Sequence, residues 1–232
     1  MRKTELRNIA RKTSPGAAAT AALVLAFALV TTGCRDDGGF LGQTLNLTGQ
    51  VWMDGREFTG TVALTSYPPG GSGGIVGGQL EFSIGRLADG HLRSIVELVG
   101  DMEHGDFRIS VNPATARFVI LELETPNGWL AREHEASSET MTTSNWEQSG
   151  VHYIFVDRNV TLSSDGVTET DSGPGWTFTE KIEPFNITFR EGWNALLWRE
   201  FENVVGDHET EGYGLSHADP DHMKWTLWER WW

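Results

Sequence analysis

The chain contains a single cysteine, Cys34, so no disulfide can form within it and its stability must come from an apolar core. Its one long apolar run, residues 16–30, falls short of the roughly 20 apolar residues that a transmembrane helix needs. Basic residues are scarce: 18 Lys and Arg face 32 Asp and Glu, a net charge of −14. A surface of that sign repels nucleic acid and anionic headgroups, which makes both poor partners, and no nucleic-acid partner is expected. Signature motifs are missing too. No His-Glu-x-x-His exists, and the glycines of 70–78 lack the Lys-Ser/Thr of a phosphate loop. Gly214-Leu215-Ser216-His217-Ala218 approaches a nucleophile elbow, but Asp219-Pro220-Asp221 does not open the helix that motif requires. Tyrosine is rare, with three residues against ten Trp and eleven Phe. Each aromatic can bury roughly 150–250 Å², so these residues must supply much of the core.

The N-terminus carries an address. Arg2, Lys3, Arg7, Arg11 and Lys12 form a basic segment, and the Ala/Leu/Val run from Gly16 to Val30 has the length of a signal-peptide core. Val30-Thr31-Thr32-Gly33-Cys34 then resembles a bacterial lipobox. That resemblance implies cleavage after Gly33 and acylation of Cys34, which would hold the chain on a membrane. Arg35 stands where an acidic retention signal would be, which points to the outer membrane. Residues 34–43 read as a flexible tether. Removing residues 1–33, with five basic and one acidic, leaves 199 residues carrying 13 basic and 31 acidic, a net charge near −18. The plain explanation of that charge is solubility at a crowded surface.

Residues 44–232 read as all-β, because period-2 alternation recurs between Gly, Asn, Asp and Pro punctuation. Leu45, Leu47 and Val51 alternate, and after the Asp54-Gly55 turn come Phe58, Val62 and Leu64, which predicts a hairpin over 44–65. Residues 67–78 read as a loop. Further strands are predicted around Phe82, Phe107–Val111, Arg117–Glu124, His152–Asp157, Val160–Ser163, Phe185–Phe189 and Ala195–Phe201. Residues 125–150 read as a hairpin with a long tip or a boundary between lobes 44–124 and 150–232. One segment breaks the pattern: Leu92, Ile95, Val96, Val99 and Met102 fall at helical spacing, so a short amphipathic helix is expected near 91–103. Short connections imply antiparallel pairing, and the expected fold is an antiparallel β-sandwich, one large or two small.

Several strand and turn motifs carry a family resemblance: Leu45-x-Leu47-x-Gly49, Phe58-Thr59-Gly60, Tyr153-Ile154-Phe155-Val156-Asp157-Arg158 and Glu191-Gly192-Trp193-Asn194. With the lipobox they resemble a group of small all-β bacterial outer-membrane lipoproteins of unknown function. The resemblance implies a fold and a location in the cell envelope. It brings no catalytic residue.

Candidate sites rest on composition. Residues 207–222 gather Asp207, His208, Glu209, Glu211, His217, Asp219, Asp221 and His222. Imidazole with carboxylate suits a divalent metal, with His208, His217, Asp219, Asp221 and His222 as the ligand candidates; a solvated acidic loop is the plainer explanation. Trp193, Trp198, Trp231 and Trp232 are candidates for stacking on a sugar or anchoring a protein partner, although core packing is the preferred explanation for Trp193 and Trp225. Glu122 with Glu124, and Glu133 with Glu135, are carboxylate pairs on one strand face; glycoside hydrolysis uses paired carboxylates, but solvent-facing Glu is the ordinary explanation. No cofactor is expected apart from the metal alternative. The sequence-level expectation is a lipid-anchored, non-enzymatic binding or structural module at the outer membrane. A glycan-binding or glycan-processing protein is the first alternative, and a metal-binding protein the second.

Overall fold

The computed structural model describes residues 40–102, 107–126, 128–140, 142–218 and 223–229. Cys34 and the lipobox, most of the 34–43 tether, Asp219, Asp221, His222, Trp231 and Trp232 lie outside them. The described residues form twenty strands and one α-helix.

The first strands are β1 (Phe40–Gly42), β2 (Leu45–Met53), β3 (Arg56–Glu57), β4 (Val62–Ala63) and β5 (Thr65–Tyr67). They are followed by β6 (Ser72–Val76), β7 (Gln79–Ile84) and β8 (Arg93–Ser94), then the helix Ile95–Met102. Beyond it lie β9 (Ser110–Asn112), β10 (Arg117–Ile120), β11 (Glu122–Thr125), β12 (Gly128–Glu139) and β13 (Thr143–Val156). Next come β14 (Val160–Ser164), β15 (Val167–Gly173), β16 (Trp176–Ile182) and β17 (Phe185–Phe189). The chain closes with β18 (Gly192–Val205), β19 (His208–His217) and β20 (Lys224–Glu229).

Local chemistry explains the turns. Asp54 (φ 50°) and Gly55 (φ 74°) both take the left-handed conformation of a two-residue hairpin, so Met53 pairs with Arg56. That hairpin is short, and most of β2 pairs instead with β7. The loop expected over 67–78 contains β6. Its glycines read as breakers in sequence, yet Gly73 serves a close approach, because a Cβ there would sit 2.0 Å from the Glu81 carbonyl oxygen. The hairpin expected within 125–150 joins β12 and β13, but its tip is short rather than long: pairing runs out to Glu139 and Ser144, and the Thr140 amide donates to the Thr143 carbonyl at 2.7 Å. The helix begins at Ile95 rather than near 91. Ile95 and Val99 are buried, whereas Val96 is 48 % exposed and does not belong to the apolar stripe.

The expectation of purely antiparallel pairing is corrected. The large sheet is mixed, and it runs β4–β6–β7–β2–β20–β12–β13–β18–β19–β16–β15 without closing into a barrel. Two neighbours are parallel, β2 with β20 and β16 with β19. Each parallel pair joins strands far apart in the chain, so no hairpin dictates their direction. A small antiparallel sheet, β9–β14–β17, stands apart.

Strand β13 explains how the layers stack. Val151, Tyr153 and Phe155 point into one core with Leu45, Leu47, Leu80, Phe82 and Trp193. Ile154 and Val156 point the other way, into a second core with Ile95, Val99, Leu162, Ile187 and Phe189. Both faces of β13 are therefore buried here, and its sequence reads as a nearly continuous apolar run. Trp193 is fully buried, meets Phe155 edge-on at 5.4 Å and donates its indole N–H to the Gly85 carbonyl at 3.1 Å. Trp225 is buried likewise, with its N–H on the Thr48 carbonyl at 3.1 Å. Large apolar side chains buried this way stabilise by about 1.5–3 kcal/mol each.

Two polar anchors fix the turns at the ends of these strands. Asn194 is buried: its amide donates to the Arg190 and Gly192 carbonyls at 2.8 and 2.9 Å, and its oxygen accepts from the Arg190 N–H at 3.0 Å. Asp157 accepts from the Arg117 amide at 2.9 Å and from the Arg117 and Arg158 side chains at 3.0 and 3.1 Å. The Asp157-Arg158 and Gly192-Trp193-Asn194 motifs are thus turn locks.

Candidate functional site

Past the two cores, β12, β13, β18, β19, β16 and β15 continue as an extension of the sheet whose faces both reach solvent. Alternation sorts the side chains. On β12 and β20, Leu130 and Leu227 enter the first core, so their neighbours Trp129 and Trp228 point to the opposite face. These two residues are cross-strand partners in the β12–β20 ladder. Their rings stack at 6.5 Å with an interplanar angle of 19°, and they remain 43 % and 39 % exposed. Together they make an apolar platform open to solvent.

The same alternation places Glu133 and Glu135 on the platform's face, with about 7 Å of strand between them. The indole N–H of Trp228 donates to Glu133, and that of Trp146 donates to Glu135 at 3.0 Å. Burial pushes the Glu133 carboxyl above its ordinary range, and the bond from Trp228 works against that rise. Trp198 lies half-buried on this face over Gly150, where a Cβ would sit 2.6 Å from its indole nitrogen, and stacks at 6.2 Å on His152. Nearby, the Lys224 ammonium sits 4.0 Å above the Trp52 ring.

Farther out, the face becomes acidic. Trp146 stands opposite Glu202, Glu202 opposite Glu211, Glu211 beside Glu180, and Glu180 opposite Glu169. Four carboxylates therefore form a row across four strands. Carboxylate oxygens of Glu202, Glu209 and Glu211 lie within 4.8 Å of one another, close enough to share a cation.

The sequence-predicted residues distribute unevenly. His208 and His217 are the two ends of β19, about 30 Å apart along the strand, so one ion cannot take both. Asp219, Asp221 and His222 are outside the described residues. Trp193 presents no face to a ligand, because the first core closes over it. Ser216 lies within β19 rather than on a strand-to-helix turn, which removes the nucleophile elbow. Glu122 and Glu124 sit on β11 between β5 and β12, and Glu124 stands directly opposite Trp129 at the border of the platform. Glu133 and Glu135 each accept a hydrogen bond from a tryptophan N–H. Trp228 belongs to the C-terminal tryptophan cluster visible in the sequence, whereas Trp129 and Trp146 carry no signal there beyond their polar flanks.

Comparison with known protein families, with curated proteins and with solved structures finds no match to this chain.

Proposed function

We propose that the chain is a lipid-anchored, non-enzymatic glycan-binding module of the bacterial envelope, held through Cys34 to the outer membrane and built as a β-sandwich. The observation that carries this reading is the stacked, solvent-open pair Trp129–Trp228 with Glu133 at its edge. A sugar ring presents axial C–H bonds to an aromatic face and hydroxyls at its rim. A flat indole platform bordered by a carboxylate acceptor answers both. Lipidation accords with the N-terminal motif, and among the described residues no helix is long and apolar enough to cross a membrane.

The test uses the mature chain 34–232 with Cys34→Ser. A glycan panel should yield a ligand that shifts tryptophan fluorescence and protects it from acrylamide. Trp129→Ala and Trp228→Ala should each remove that response. A panel with no binder, or binding indifferent to both substitutions, defeats the reading and leaves a scaffold whose partner must be sought among envelope proteins. Turnover of any bound glycan would move the assignment to processing, with Glu133 as the acid.

A metal-binding role has one supporting observation, the carboxylates Glu202, Glu209 and Glu211, two of which fall within 207–222. Calcium that raises the melting temperature of the chain, but not of Glu209→Gln/Glu211→Gln, supports it. Equal curves with calcium and with chelator dismiss it.

A further inference from the structure

We propose that the opposite face of the sheet extension holds a second, independent binding site, for an uncharged, hydroxyl-rich chain laid across the strands. The strand register alone assembles it. Ser138 stands opposite Asn145, Asn145 opposite Asn203, Asn203 opposite Thr210, Thr210 beside Thr179, and Thr179 opposite Thr170. Six consecutive strands each contribute one hydroxyl or amide to a single row. Neighbouring strands lie about 4.8 Å apart, so the row extends about 24 Å perpendicular to them. The Asn145 amide reaches the Ser138 hydroxyl at 3.4 Å, and the Thr170 and Thr179 hydroxyls approach to the same distance. These contacts are long, and groups so loosely joined can each give and take a hydrogen bond with a ligand hydroxyl.

Beside the row the surface sinks into a hollow of about 510 Å³, a size that suits small ligand units. Phe201 is part of its lining, and its ring lies over Gly212 directly opposite, 2.1 Å from where a Cβ would be. The Arg199 guanidinium covers that ring at 5.1 Å, bonds Glu183 at 2.6 Å and pairs with Glu147 at 3.7 Å. Lys181 also pairs with Glu183, at 3.7 Å.

These contacts select the ligand class. Arg199 and Lys181 meet three lining carboxylates, Glu147, Glu183 and Glu202, so both cations are already paired and the hollow does not attract an anion. Of the two aromatic residues lining the hollow, Phe201 is covered by Arg199 and Trp146 is tied through its N–H to Glu135, so little free apolar surface is offered. An anionic polymer must also approach a chain of net charge −14. What remains favourable is a neutral partner that donates and accepts hydrogen bonds repeatedly along its length, which is the chemistry of an uncharged polysaccharide. The site does not depend on the tryptophan platform, because Trp129 and Trp228 occupy the other face.

The experiment titrates the full chain in detergent with cellohexaose, xylohexaose and maltohexaose, and with a hexamer of galacturonic acid as the anionic control. The expected result is saturable binding of at least one neutral hexamer and none of the anionic one. Asn145→Ala/Asn203→Ala should weaken that binding about tenfold, as loss of one or two hydrogen bonds does. Both positions are exposed, so the fold tolerates truncation. Thr179→Val/Thr210→Val, which keeps shape and strand propensity, should act alike. Trp129→Ala/Trp228→Ala should leave the binding intact. The proposal is overturned if no neutral hexamer binds, if the anionic hexamer binds as well as the neutral ones, or if binding ignores the row substitutions and follows the tryptophans.

Discussion

The indole N–H of Trp228 donates to the carboxylate of Glu133, a residue 95 positions earlier in the chain. Burial raises the pKa of Glu133, so the folded state holds its proton more tightly than the unfolded state does. Between the unfolded pKa and the raised folded one, the native chain binds more protons, and stability falls as pH rises through that window. Glu133→Gln keeps an acceptor for the indole and removes the charge. Its melting temperature should exceed that of the parent at pH 7, and the two should converge below pH 4. A parent that melts higher at pH 7 contradicts this account.

Asp157 behaves in the opposite sense. Burial alone would raise its pKa, but the bonds from Arg158 and Arg117 outweigh burial and hold it below the ordinary range. Such a group stabilises above its unfolded pKa, and that stabilisation is lost as pH falls toward the folded value. Asp157→Asn should cost roughly 1–3 kcal/mol at pH 7 and flatten the acid limb of the stability profile. Urea unfolding at pH 7 and pH 3 measures both effects, and a loss of equal size at the two pH values would exclude the charge as its source.

Asn194→Ala removes three hydrogen bonds from a fully buried position. The backbone groups of Arg190 and Gly192 would lose their partners inside the fold. A destabilisation of roughly 2–4 kcal/mol is expected, since a buried group left unsatisfied costs about 1–3 kcal/mol. Asn194→Asp retains the acceptor alone and should fall between Asn and Ala only at acidic pH.

The row Glu202–Glu211–Glu180–Glu169 places like charges on adjacent strands. Such pairs destabilise by roughly 0.2–1 kcal/mol each. Glu211, with acids on both sides, is the informative position. Glu211→Gln should raise the melting temperature at low salt, and the gain should shrink at 1 M salt, where charges are screened within about 3 Å. A gain independent of salt would point to propensity rather than repulsion.

Much of the local architecture is legible in the chain. Alternation at Leu45–Val51 and Phe185–Phe189, the Asp54-Gly55 turn and the helical spacing of Ile95, Val99 and Met102 all act within a few residues, and each appears in the structure where its period predicts. The burial of Trp193 and Trp225 follows from the same alternation. Local rules misjudge segments whose backbone answers to distant partners. Gly73 reads as a breaker until Glu81 is seen against it, and Val96 fits a helical stripe until its exposure is known.

The candidate surfaces were less legible, for a related reason. Glu133 and Glu135 were visible as a pair, but nothing near them in sequence announces Trp228 or Trp146. His208 and His217 look close in a list of residues and are held apart by ten residues of extended strand. The sequence by itself determined the strands, their buried and open faces, the turns and the acidic surplus, because backbone preference and side-chain period are local. Only the tertiary structure decided which strands became neighbours, two of them in parallel, and so which side chains share a row. A row across strands is set by register between segments up to 177 residues apart, as with Trp225 and Thr48, and no short-range pattern encodes it.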